Sequence, residues 1–463
     1  MSSKRIKDYP ETLTLNSDCI YPLDYYNAIN DYTLKSLKHS VLESFVVITN
    51  PVYSTIIYVD TAYGNDATGT PGNPSKPFLS IVAATSAALG LIPTVTNQVL
   101  IYLRKGTYYS NVDLRDYINY YAEPGVIFTY GTVADLNGAC TSDFLGYAKF
   151  NTSVYPLRIA NASTVTFEFD TIESTGAAML LICTSGYANV TINGNSIFAQ
   201  TFGKSYVFTI RNNVNVTFNI RDRIAGIHSV FDIRSHTGKI VVNTPNIVLS
   251  SGNIYGGNFK QAIISYGSTA SSVIIINADL INEHAGYPGG ISGMFVYWGS
   301  NSGYAELNGN IYGNDTLCIY GNNSSATGIF KHDGSMSSNI VPVVIGSTGT
   351  YYFLNGKHIS NAVSYAHVVN VFGTATVYFK DILFYHSLSN SNVFNLTSNT
   401  CIVNVFNCVG STPGALGEFI TNAVPINVKI HNTRSNKPLN ANVTDTLAPS
   451  GFILDTTIIT PTF

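Results

Sequence analysis

The chain reads as an all-β protein wound into a parallel β-solenoid, and three observations lead there. Short strands with a Val-Thr-Phe-Asn-like pattern recur from residue 165 onward, starting at Val165, Val190, Val216, Val241, Ile274, Ala305, Phe330, Tyr352, Val377, Val403 and Val428. Seven of the ten spacings are 25 or 26 residues and the others are 33, 31 and 22, a period that marks one structural unit stacked on the next. The composition is that of strands and turns: 47 Asn, 38 Gly and 31 Tyr in 463 residues. Finally, Asn, Gly, Ser and Thr alternate with Val, Ile, Phe and Tyr, the period-2 signature of half-buried strands. A propeller needs blades of about 40–50 residues and leucine-rich repeats need Leu at fixed steps, so neither fits. No single coil can bury its apolar side alone, and stacking makes one continuous core. Ten intervals at a rise of about 4.8 Å predict a stack of about 48 Å, with earlier coils near residues 100 and 126.

Residues 1–50 differ from this body. Thr33 can cap a helix, and Leu34, Leu37, Val41, Leu42 and Phe45 form one apolar helical stripe that a partner must cover. Ile56–Asp60 reads as a strand, and Tyr63–Lys76 as a loop rich in Gly, Asn and Pro. A short helix is expected at about 77–90, with Pro77 in its first turn and Gly90 at its end. Val99–Leu103 is the next strand, followed by a turn through Arg104-Lys105-Gly106-Thr107-Tyr108. The solenoid is expected over 51–434 and a C-terminal cap or tail over 435–463. The long coils place extra loops around 250–270 and 283–300, where a binding face is expected.

Lys and Arg number 24 against 27 Asp and Glu, a net charge of −3, so the basic footprint of a nucleic-acid binder is missing. No run reaches the roughly 18 apolar residues of a membrane helix, and the N-terminus carries no apolar core of a secretion signal. The six cysteines are scattered, without metal-like spacing, and read as reduced thiols, several of them buried. No cofactor is expected.

Two sets of motifs resemble known families. Tyr58-Val59-Asp60, Gly64-Asn65-Asp66, Lys76-Pro77-Phe78 with its helix, and Leu103-Arg104-Lys105-Gly106-Thr107-Tyr108 resemble the opening of pectate-lyase-like right-handed β-helix proteins. In that family the helix caps the N-terminal end of the solenoid. Ile6-Lys7-Asp8-Tyr9-Pro10, Leu15-Asn16-Ser17-Asp18, Ile20-Tyr21-Pro22-Leu23-Asp24 and Tyr32-Thr33-Leu34 are similar to the N-terminal segment of phage tail-fibre and tailspike proteins, which joins the fibre to the virion. Together the resemblances imply a right-handed parallel β-helix with a short N-terminal attachment segment. They imply a virion tail protein made in the host cytoplasm, docked to a tail or baseplate protein through residues 1–50, a homotrimer as many tailspikes are, and directed at a host-surface polysaccharide or receptor.

The densest charged stretch is Arg221-Asp222-Arg223 through His228, Asp232, Arg234 and His236. One coil on, Asp279, Glu283 and His284 sit beside a long loop, and Tyr297 and Trp298, the one tryptophan, lie in the same region. Cleavage of a glycan by hydrolysis needs two carboxylates about 5–10 Å apart, and a lyase needs a base, often Arg in the pectate-lyase-like family. Asp222, Asp279, Glu283 and Arg221 are the catalytic candidates. Arg223, Asp232, Arg234, His284, Tyr297 and Trp298 are the glycan-contact candidates. The same charges would also serve as solvated surface ion pairs. Asp170, Asn195, Arg221, Asn246, Asp279, Asn310, Ser335 and Lys357, five residues after each anchor, form a polar column that reads as a turn ladder. Three functions are open on these residues: a non-catalytic glycan binder, a depolymerase on the same body, and a structural virion component.

Overall fold

The computed structural model describes residues 53–438 and 452–454, apart from short internal stretches of which 250–260 and 284–293 are the longest. Residues 1–50, with their expected attachment helix, lie outside the described residues. The body is a parallel β-solenoid whose turns each visit three faces in the same order. The first face starts at Tyr53–Val59, continues through Gln98–Leu103, Ile118–Ala122, Thr141–Gly146 and Thr164–Glu168, and runs to Asn427–His431. The second starts at Gly106–Tyr108 and ends where Thr433–Ser435 pairs with Phe452–Leu454. The third runs from Val112–Asp113 to Ile420–Asn422. From Thr164–Glu168 to Asn427–His431 the chain makes about 10 turns. Strands such as Tyr206–Gly226 and Ser229–Leu249 bend through two corners and serve all three faces.

The alternation seen in the sequence decides which residues point inward. One inward column on the first face passes from Ile57 through Ile101, Tyr120, Phe144 and Phe167, and on to Phe353, Phe379, Val405 and Ile430. Every member is buried and only His332 is polar. Like residues stack in register: Phe353 on Phe379 at 5.0 Å and Phe208 on Phe231 at 4.6 Å between ring centroids, which matches the inter-strand spacing.

Nine of the eleven expected anchors share one register column, which passes through Ile240 and Tyr351 in place of Val241 and Tyr352. The two slips have one cause. Val241-Val242 and Tyr351-Tyr352 are apolar at both parities, so alternation is silent there, and a one-residue slip exchanges the core side for the solvent side. Ile240 and Tyr351 are fully buried, whereas Val241 and Tyr352 are half-exposed. A second correction concerns the long coils. Gln261–Tyr266 and Met294–Trp298 are third-face strands, not loop. Of the rest of the expected loops, 250–260 and 284–293 lie outside the described residues.

The helix, α1, spans Ile81–Gly90 and starts later than Pro77 suggested, because capping sits elsewhere. The Ser80 hydroxyl accepts from the Ala83 amide, and Asp66 reaches back to accept from the Leu79 and Ser80 amides at 2.8 and 2.9 Å. Ile81, Ala84 and Ala88 on α1 continue the apolar core of the first coils, and the Thr85 hydroxyl lies 3.1 Å from that of Tyr120.

Corners are held by polar ladders, as the turn reading of the polar column expects. The Asp279 carboxylate accepts the Asn310 amide at 2.8 Å, Asn310 Oδ1 the Ser335 amide at 3.0 Å, and Ser335 Oγ the Lys357 amide at 3.0 Å. Each side chain thus satisfies a backbone donor one coil on. Beside it Gly309 and Gly334 take φ of +149° and +145°, and a Cβ on Gly309 would lie 2.1 Å from the Ala278 carbonyl oxygen. Only glycine lets the coils stack that closely at this corner.

Candidate functional site

The solenoid separates residues that are neighbours in sequence. Arg221, Asp222 and Arg223 sit at the exposed corner between the first and second faces, where the Asp222–Arg223 ion pair is 3.9 Å long with both side chains at least half exposed. Asp279 lies on the same corner, in register with Asn246 and, one coil earlier, Arg223, so about 10 Å separates it from that pair along the axis. Its carboxylate is engaged in the corner ladder. Glu283 is exposed at the opposite end of the same second-face strand, about 13 Å from Asp279 at the strand rise. Three of the four catalytic candidates, Arg221, Asp222 and Asp279, thus share one corner, and Glu283 stands apart from them. His284 lies outside the described residues.

Asp232 and Arg234, ten and twelve residues from Asp222, stand on the third face. Asp232 is fully buried although its backbone parity is outward. It is held by Arg234, Nε to Oδ1 at 2.6 Å, and by Arg211, Nη2 to Oδ2 at 3.5 Å. Arg234 also bonds the Tyr206 hydroxyl at 3.1 Å and lies over the Tyr206 ring. Burial works against the Arg234 charge, but the Asp232 bond outweighs it and raises the guanidinium pKa. His236, one corner further, is buried with its ring nitrogens on Ser272 Oγ and the Val214 carbonyl, a packing role.

The register that contains Asp232 runs Thr209, Asp232, Ile264, Tyr297, Tyr320, Val344 and Asn370. Tyr297 is thereby aligned with Asp232. Trp298 pairs with Ser265 and Gly321, the column of the other parity. Three coils beyond Asp232 the face opens into a cleft of about 350 Å³ lined by Leu317, Tyr320, Ile340, Val341, Val344, His367, Asn370 and Phe372. Leu317 and Val341 are a small apolar cluster apart from the main core, and Phe372 is 41% exposed at the rim. Burial lowers the His367 pKa, so the imidazole is neutral at neutral pH and offers one donor and one acceptor. Sequence reasoning missed this cleft, because its lining comes from three coils and none of its aromatic, amide or imidazole groups is unusual in its local stretch.

The lining residues include no carboxylate. Glu306, on the first face, is the described acid with a clearly shifted pKa; burial raises it, but hydrogen bonds from Lys331 and Tyr304 prevail and bring it below the usual range. That is opposite to the raised carboxyl a general acid needs. Among the described residues no group of three His, Cys, Asp or Glu side chains is placed to hold a metal ion. Cys140, Cys318, Cys401 and Cys408 are buried, and burial raises each thiol, that of Cys140 to about 11, so these are packing residues. Comparison with protein-family models, with curated proteins and with solved structures finds no match. What is shown of this chain's kinship is its architecture, a parallel β-solenoid.

Proposed function

We propose that this chain is a receptor-binding rod of tailspike type, carried on a virion tail, and that its third face binds a host-surface glycan without cutting it. The observation that carries the reading is the third-face cleft. Its Tyr320 and Phe372 rings, the Asn370 amide and the neutral His367 imidazole are the groups that recognise a sugar's apolar ring face and its hydroxyls. The absence of a carboxylate from the cleft lining supports binding over cleavage there. The motifs of residues 6–34 support attachment through the N-terminal segment, and the body's solenoid architecture supports the side-by-side homotrimer of tailspikes.

The test is a glycan array with the full chain, followed by mass analysis of each bound glycan after incubation. The reading expects binding, an unchanged glycan mass, and loss of binding in Tyr320→Ala and Phe372→Ala. A bound glycan that shortens would make the protein a depolymerase. Absence of binding to every glycan would leave the structural role.

A further inference from the structure

The geometry points to an acidic-sugar subsite on the third face, in which Arg211 and Arg234 receive the carboxylate of a uronic- or sialic-type residue; this rests on the glycan-binding reading above. In a chain with net charge −3 the third face is locally basic. Arg158 is exposed on the column that leads through Leu181 and Thr209 to Asp232, and Arg211 and Arg234 flank it. One buried carboxylate, Asp232, cannot neutralise two guanidinium groups. It takes Nε of Arg234 at 2.6 Å and only a long 3.5 Å contact from Arg211. Arg211 Nε is buried and has no hydrogen-bond partner among the described residues. With Nε buried and one Nη only loosely held by Asp232, the exposed part of the Arg211 fork is what an incoming planar carboxylate can take.

Both guanidinium side chains remain 42% exposed, so a ligand can reach them. Asp232 and Tyr206 fix the Arg234 fork, which removes much of the ordering cost of binding. Asp232 itself sets selectivity. It repels an anion that approaches the centre and leaves room only for one that lies along the outer edge of the arginines. Three coils, about 14 Å, separate this subsite from Tyr320 at the mouth of the cleft. An oligosaccharide spans that distance along the axis, with an acidic residue at the arginines and a neutral residue in the cleft.

The test uses the full chain on an array that presents each acidic saccharide both as its carboxylate and as its methyl ester. The proposal expects binders to be carboxylates, with binding about tenfold weaker on the ester and in Arg211→Gln, a loss that shrinks as salt rises. Arg158→Gln, which leaves Asp232 untouched, should weaken the same ligands less and keeps the test valid if Arg211→Gln fails to fold. Binding to neutral glycans only, or acid binding indifferent to both esterification and Arg211→Gln, overturns the acidic subsite and leaves the glycan-binding reading standing. Binding to nothing overturns both.

Discussion

Replacing His358 with methionine should stabilise this protein, although the residue sits fully buried in the core. The imidazole is boxed by Phe353, Phe379, Phe384 and His332, with ring centroids 5.4 to 6.3 Å away, and neither ring nitrogen has a hydrogen-bond partner among the described residues. An unsatisfied buried polar group costs about 1–3 kcal/mol. In register the neighbours of His358 are Met336 and Phe384, so methionine continues the column without new volume demands. Removal of the imidazole should raise stability by about 1–3 kcal/mol at pH 7.5. The gain should widen in acid. Burial, with the nearby His332, holds the folded-state pKa of His358 well below the ordinary 6.5. The unfolded chain therefore binds the proton first, and wild-type stability falls as pH drops below 6.5 until the folded pKa is reached. For such a group the loss between pH 7.5 and pH 5 is about 2 kcal/mol. His332, lowered by burial to about 4, adds a similar loss that is complete only near that pH and persists in the variant; its Asp333 neighbour opposes the shift. Urea unfolding followed by circular dichroism at pH 7.5 and pH 5 measures both effects. A lower midpoint for His358→Met at pH 7.5, or a gap that does not widen at pH 5, would refute the argument.

Three further outcomes are expected. Gly309→Ala should destabilise by more than about 2 kcal/mol, because its φ is positive and the new Cβ meets the Ala278 carbonyl oxygen; a thermal melt equal to wild type would contradict the corner geometry. Asn243→Ala should cost about 1 kcal/mol by breaking a side-chain ladder in which Asn243 donates to Asn219 at 2.9 Å and accepts from Asn277 at 2.8 Å, and the urea midpoint reads it. Asp222→Asn with Asp279→Asn should leave glycan binding and stability nearly unchanged, since the amide oxygen of the second substitution still accepts from the Asn310 backbone; cleavage by the wild type that vanishes in the double variant would make those acids catalytic.

Much of the fold was legible because a solenoid repeats its own local rule. Val165, Val190 and Val216 share one column since each coil solves the same burial problem with the same alternation. Legibility failed where alternation carried no information, at Val241 and Tyr352, and where Gly- and Ser-rich flanks hid short strands, at Gln261–Tyr266 and Met294–Trp298. The polar column could be read as a turn ladder because Asn, Asp and Ser are the residues that bond neighbouring backbone. The Asn193-Asn219-Asn243-Asn277-Asn308 ladder was in view as a recurring letter, but its side-chain bonds needed coil-on-coil register.

By itself the sequence determined the architecture: the period, the inward parity of most strands and the presence of a helix near residue 80 all follow from local preference and the need to bury apolar faces. Only the tertiary structure decided which charges meet. Arg221-Asp222-Arg223 and Asp232-Arg234 are one charged stretch in the chain, yet the corner between them sends the first group to an exposed edge and the second to the third face. Arg211 meets Asp232, and Tyr320 shares a cleft with His367 and Phe372, because stacking at about 4.8 Å per coil makes residues some 25 positions apart neighbours, a proximity that no local pattern encodes.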